Sequence, residues 1–191
     1  NNFYHGLRNI YGESKKLINF DFKRFSNILG QNSRVVVIFY YNARLDKIEN
    51  TSKFISQERF FSKLRSIDNF NLILCRLLKR KIRGTNNYYY VLKEDDIHMA
   101  VDMVEGAFDN KFDIAIVVSG DGDFVPAVRA VQRRSKKVIN AYFKSSETAI
   151  KRNHFSPPEM CANINSSSKI ALEKLLKDFP KYKKLDRSVQ L

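Results

Sequence analysis

The stretch Phe112-Asp113-Ile114-Ala115-Ile116-Val117-Val118-Ser119-Gly120-Asp121-Gly122-Asp123-Phe124-Val125-Pro126 decides the fold. The apolar run from Ile114 to Val118 stops at Ser119-Gly120-Asp121-Gly122-Asp123, and a helical pattern begins at Phe124. A short unbroken apolar run bounded by glycine suits a strand buried on both faces of a parallel sheet. Ligands of such sheets bind beyond the carboxyl ends of the strands. The glycine-flexed turn therefore delivers Asp121 and Asp123 to the place where an α/β protein does its chemistry. Close carboxylates repel, and a hard divalent cation between them relieves the repulsion.

On either side of this turn helices and strands alternate. Phe3, Leu7, Ile10 and Tyr11 share a helical face, and a second helix runs from Asp21 to Leu29, ending at Gly30. Arg34 to Tyr41 is β-branched and aromatic and reads as a buried strand. Ser52 to Ile67 has helical spacing, and Asn71 to Leu78 is a strand candidate. Between Arg80 and Leu92, Gly84-Thr85-Asn86-Asn87 separates a basic flank from a tyrosine-rich one, which marks either a hairpin or an excursion loop. A helix from Asp95 to Phe108, the Ile114–Val118 strand, a helix from Phe124 to Arg134 and a strand from Lys137 to Phe143 follow. The alternation predicts a three-layer α/β/α sandwich with a mostly parallel central sheet. Past Ser145 the pattern weakens, and Lys169 to Leu176 has the spacing of a short amphipathic helix. We expect one domain over residues 1–150 and a basic extension over 151–191.

The charge narrows the partners. Against 20 acidic residues stand 34 Lys and Arg, a net +14 over 191 residues. That excess favours a polyanion, either nucleic acid or an acidic membrane surface. No apolar run approaches the length of a membrane span. The chain begins with Asn rather than Met and shows no signal peptide, so an upstream portion is expected to be missing. Cys75 sits in an apolar run as a buried thiol, far from Cys161, and the scattered cysteines and histidines form neither a disulfide framework nor a zinc motif. A reducing, cytoplasmic setting is the default.

The carboxylates have two competing readings. Asp95 or Asp96 can cap the helix containing Ile97, Ala100, Val101 and Val104, and Asp123 can cap the helix from Phe124. Capping leaves Asp121, and one member of the Asp95-Asp96 pair, without a structural role. Asp102 either faces the same site or pairs with a neighbouring base. His98 reads as an ordinary helix residue, and His5 and His154 carry no motif support.

The segment Lys93 to Lys137 resembles the central signature of the NYN domain family, LabA-like proteins of the PIN-like nuclease superfamily. Lys93 and Asp96 match its Lys-Gly-x-Asp step, with Glu94 in place of Gly. Ala100-Val101-Asp102-Met103 matches its helix motif, and Ser119 through Pro126 matches its acidic turn completely. The resemblance covers residues 1 to 150. The family opens with a strand ending Asp-Gly-x-Asn. Asn2 would be that Asn, and the strand with its Asp would lie upstream.

The resemblance implies a metal-dependent endoribonuclease. Asp96, Asp121 and Asp123, with the upstream Asp, would hold Mg²⁺ or Mn²⁺, since carboxylates and water suit those ions better than zinc. Asn2 and Ser119 would orient a water or a phosphate oxygen. With no histidine in the motif, water would be activated by metal.

Arg76, Lys79, Arg80, Lys81 and Arg83 crowd one region, followed by Tyr88-Tyr89-Tyr90 and then Lys93 beside the acidic motif. Cations on phosphate and tyrosine on unpaired bases is a common way to hold single-stranded RNA. The competing reading is an edge strand guarded by charge. Two other functions stand beside the nuclease: an RNA-binding or regulatory module without turnover, and a hydrolase of small phosphate esters. The net charge argues against the latter, since a small substrate needs no basic surface. A homodimer is compatible with all three.

Overall fold

A computed structural model describes residues 2–11, 17–31, 33–143 and 169–177. The helices are α1 (Asn2–Tyr11), α2 (Phe22–Gly30), α3 (Thr51–Arg65), α4 (Asp95–Phe108), α5 (Val125–Arg133) and α6 (Leu172–Lys177). The strands are β1 (Ile38–Ala43), β2 (Phe70–Lys81), β3 (Tyr88–Lys93), β4 (Ile114–Val118), β5 (Lys137–Tyr142) and β6 (Lys169–Ala171). Short 3-10 turns occupy Leu17–Asn19 and Gly122–Phe124.

The described strands form two sheets of three, in the orders β1-β2-β3 and β4-β5-β6, where the sequence predicted one. The second is parallel throughout, as the apolar run of β4 required. The first is mixed: β1 lies parallel to residues 70–75 of β2, while residues 76–81 pair antiparallel with β3. A connection as short as Ile82–Asn87 allows only a hairpin, because a parallel crossover needs a dozen residues or more.

Several predicted boundaries move, and two of the shifts show why. The strand expected from Arg34 begins at Ile38, because the ladder begins where β2 does, with Ile38 opposite Phe70. The helix expected from Lys169 begins at Leu172, because Lys169–Ala171 pairs with Asn140–Tyr142 as β6. In both cases the available partner strand outweighs local propensity. The extension beyond residue 151 otherwise lies largely outside the described residues.

Helices cover both sides of the strands. On one side Ile38, Tyr40 and Leu72 from the first sheet join Ile116, Val118, Ala141 and Ile170 from the second in a single apolar cluster. Phe22, Phe25, Phe61 and Leu64 of α2 and α3 fill that cluster, and Phe61 and Leu64 are wholly buried. Burial of each such side chain contributes about 1.5–3 kcal/mol. On the other side Ala115, Val117 and Val138 pack under α4 and α5 through Met103, Ala107, Val128 and Val131. β4 is thus covered on both faces, and its carboxyl end is where the acidic turn emerges.

Candidate active site

β4 ends at Val118, and the turn after it is tied by its own side chains. The Ser119 hydroxyl, 7% exposed, accepts the Asp121 N–H at 3.1 Å. Asp121 Oδ1 accepts the Asp123 N–H at 3.0 Å and so caps the 3-10 turn. Asp121 therefore has the capping role that one reading of the sequence offered to Asp123. The cause is that 3-10 turn, which starts the helical path early. Pro126 then enters α5 at its first turn, where no amide needs a cap. Asp123 is left exposed, and Asp121 keeps its second carboxylate oxygen.

Asn140 is not among the residues that the sequence singles out. This β5 residue is wholly buried, and its Nδ2 donates to the carbonyls of Ser119 at 2.7 Å and Val117 at 3.2 Å. It clamps the end of β4 from the neighbouring strand. A polar residue inside the apolar pattern of Lys137–Tyr142 was the only available signal.

The second acidic group arrives on α4. Glu94 is the N-cap in a left-handed conformation, φ 76° and ψ −15°, without a side-chain capping bond. That conformation explains physically why the family motif has Gly at this step, since a side chain there is strained. Arg76 Nη2 meets Glu94 Oε1 at 3.0 Å across the base of the hairpin. Neither Asp95 nor Asp96 caps the helix. Both sit in its first turn, where the helix dipole favours negative charge. Among the described residues Asp102 pairs with no base. Its Oδ2 accepts the Tyr41 hydroxyl of β1 at 2.9 Å, which ties α4 to the first sheet. Burial and that bond push the Tyr41 hydroxyl far above its ordinary titration range.

Electrostatics link the two acidic groups. The Asp96 carboxyl is raised by partial desolvation, then by the charges of Asp95, Asp121 and Asp123. The raised value means that Asp96 opposes folding once ionised. Stability is fullest below the unfolded pKa and falls as pH rises through the folded one. Cys75, buried as expected, is pushed up to about 11 by burial and by Asp95, Glu94, Asp96 and Asp102. Among the described residues, however, no three His, Cys, Asp or Glu side chains gather closely enough to hold a metal. The donor chemistry suits a hard cation. Mg²⁺ in particular is commonly held by one or two carboxylates, with waters and substrate phosphates completing its shell.

The remaining expected residues divide. Asn2 opens α1, and its side chain lies outside the described residues. The basic group does not form one patch. Lys79 and Lys81 lie on one face of the hairpin, Arg76, Arg80 and Lys93 on the other, and Arg83 in the turn. Arg76 is engaged by Glu94, and Lys79 by Glu49. Arg80, Lys81, Arg83 and Lys93 are exposed and form no ion pair among the described residues. His98 is an exposed helix residue.

Fold and turn together define an α/β protein with carboxylates beyond the carboxyl end of a parallel strand. The NYN domain model matches residues 1–157, and the chain belongs to that family of PIN-like nucleases. No curated protein matches the chain significantly. No helix among the described residues is long and apolar enough to cross a membrane.

Proposed function

We propose that this protein is a Mg²⁺- or Mn²⁺-dependent endoribonuclease that hydrolyses phosphodiester bonds in single-stranded RNA. The observation that carries the proposal is that Asp96, in the first turn of α4, feels the charges of Asp121 and Asp123 in the turn after β4, so that two strand-to-helix junctions share one acidic field. A cation that draws on one or two of these carboxylates relieves their repulsion, and the capping bond of Asp121 uses only one of its oxygens. In the same reading the two sheets are halves of one PIN-like sandwich, supported by the apolar cluster they share. A cytoplasmic setting belongs to it as well.

In this mechanism Asp96, Asp121 and Asp123 are the carboxylates that would hold the ion, one or two of them directly, with waters and substrate phosphate completing its shell. When bound, the ion polarises the scissile phosphate and lowers the pKa of a water. Asp121 offers the oxygen not used in its turn. Ser119, whose oxygen accepts the Asp121 amide, keeps its proton to donate to a water or a phosphate oxygen. Asn2 is assigned the same orienting role from the family motif. Lys93 and the hairpin cations Arg76, Lys79, Arg80, Lys81 and Arg83 neutralise the strand's phosphates.

A second reading, an RNA-binding module without turnover, is favoured by the absence of a three-carboxylate group among the described residues. Labelled single-stranded RNA incubated with Mg²⁺ or Mn²⁺, with and without EDTA, separates the two. The nuclease cuts only with metal. Binding without cutting under every metal condition replaces it with the module, and cutting in EDTA rules out the metal mechanism.

A further inference from the structure

β2 has two halves with different surroundings. Residues 70–75 lie inside the first sheet beside β1, while residues 76–81 pair only with β3. The second half therefore projects past the end of β1 as a two-stranded arm, about 20 Å long at 3.3 Å per residue. Every residue from 79 to 90 is exposed. Tyr88, Tyr89 and Tyr90 are 51%, 50% and 42% exposed. A lone ribbon of this kind is marginally stable in water, and large exposed aromatics on it point to a partner.

The arm's faces are not equivalent. Phe70 and Leu72 of β2 point into the large apolar cluster with Ile38 and Tyr40. Cys75 points the other way, on the face it shares with Tyr41 and Ile73, where the Tyr41 hydroxyl bonds Asp102 of α4. Side chains two apart share a face, so Leu77, Lys79 and Lys81 continue the Cys75 face. Their partners across the ladder are Leu92, Tyr90 and Tyr88. Lys79 Nζ lies 4.4 Å from the centre of the Tyr88 ring, which fixes that ring beside a cation. Tyr89 stands on the opposite face, opposite Arg80.

We propose that the α4-facing side of the arm, through Tyr88 and Tyr90 with Lys79 and Lys81, is a stacking track for the unpaired bases of an RNA strand. The track runs from the arm's tip down to Cys75 and the acidic edge. The tip carries a shallow dish of about 570 Å³ whose lining includes Lys81 and Arg83. Bases inside a duplex are stacked on each other and offer no free π-face, so the arm selects single strands. Charge complementarity sets the occupant, because the aromatic rings alternate with lysines in a chain of net charge +14. The inference rests on the nuclease reading only for the identity of the strand.

The test titrates the full chain, in EDTA, with a labelled uridine oligonucleotide, the same backbone with abasic sites, a duplex, and phosphatidylserine vesicles. Tyr88→Ala with Tyr90→Ala is expected to weaken binding of the uridine strand about tenfold or more. The salt slope should stay unchanged, because stacking releases no counterions. Binding to the abasic strand should be unaffected, Tyr89→Ala should stay within about twofold of the parent, and Tyr88→Phe with Tyr90→Phe should restore affinity. The chain has no Trp, so stacking also reads out as quenched tyrosine emission. Equal losses on abasic and base-bearing strands, or an equal loss from Tyr89→Ala, overturn the track but leave the nuclease standing. Binding to RNA that ignores all three tyrosines does the same. Failure of the parent to bind any strand, with or without vesicle binding, overturns both.

Discussion

At the acidic edge nearly every turn is held. Asn140 clamps the end of β4, Ser119 and Asp121 close the loop on itself, and Tyr41 ties α4 to β1. On the arm, residues 79 to 90 are exposed throughout, and Arg80, Lys81 and Arg83 have no ion pair among the described residues. The two regions meet at Glu94, in a left-handed conformation. Under the proposed nuclease function the contrast is a division of labour. Chemistry at a phosphodiester needs fixed atoms, since small misplacements are costly in rate. Capture of a polyanion needs reach and charge, which tolerate loose geometry.

The largest expected effect separates these roles. Asp121→Asn keeps size and removes one charge, so cleavage should fall by more than the 10–100-fold typical of losing an outer-shell partner of a metal. RNA binding should persist, since the arm is untouched. Gel-based cleavage and a binding titration on one preparation check this, and a parallel loss of both would erase the distinction between edge and arm.

Asn140→Ala comes next. An orphaned buried acceptor costs about 1–3 kcal/mol, and this change strips a donor from two carbonyls, so we expect a loss of about 2–4 kcal/mol. Urea unfolding measures it, and a loss below about 1 kcal/mol would show that the amide is no clamp. Replacing Arg80, Lys81 and Arg83 together by Ala should flatten the slope of log affinity against log salt by about two units if all three meet phosphates. Stability should move by no more than about 0.5 kcal/mol per site, as for other exposed positions. An unchanged slope would place the phosphate contacts elsewhere.

The smallest effect tests the junction. A left-handed residue with a side chain carries about 1 kcal/mol of strain. Glu94→Gly should therefore leave the protein about 1 kcal/mol more stable than Glu94→Ala, although both remove the exposed ion pair to Arg76. Equal stabilities would mean that the surrounding structure relaxes the strain in the Ala variant.

Much of the fold was legible where a local pattern and its tertiary fate coincide. The helix Asp95–Phe108 and the strand Ile114–Val118 have the bounds their periodicity predicted. Elements whose limits depend on a partner strand were not legible: β1 starts late, β6 replaces the first turn of a helix, and β2 runs on to Lys81 because β3 folds back on it. Within the candidate site, the Ser119–Asp123 turn and the Asp95-Asp96 pair stood out by residue type and spacing. Asn140 and Tyr41 did not, because one buried amide or hydroxyl in a strand is chemically unremarkable until its partner is known. Asp123, and not Asp121, reads as a candidate cap because a 3-10 turn has no sequence signature distinct from the helix it precedes.

The sequence by itself determined the mixed α/β class, the acidic turn at a strand end, the basic and tyrosine-rich segment and the family. These follow from periodicity, glycine placement and residue chemistry, which act over a few neighbours. The tertiary structure alone decided that two sheets share one core, that Asp96 feels Asp121 and Asp123, and that the hairpin's cations divide between two faces. Those facts depend on which strands pair and in what register. Register is set by burial summed over distant parts of the chain, and no local window of sequence contains it.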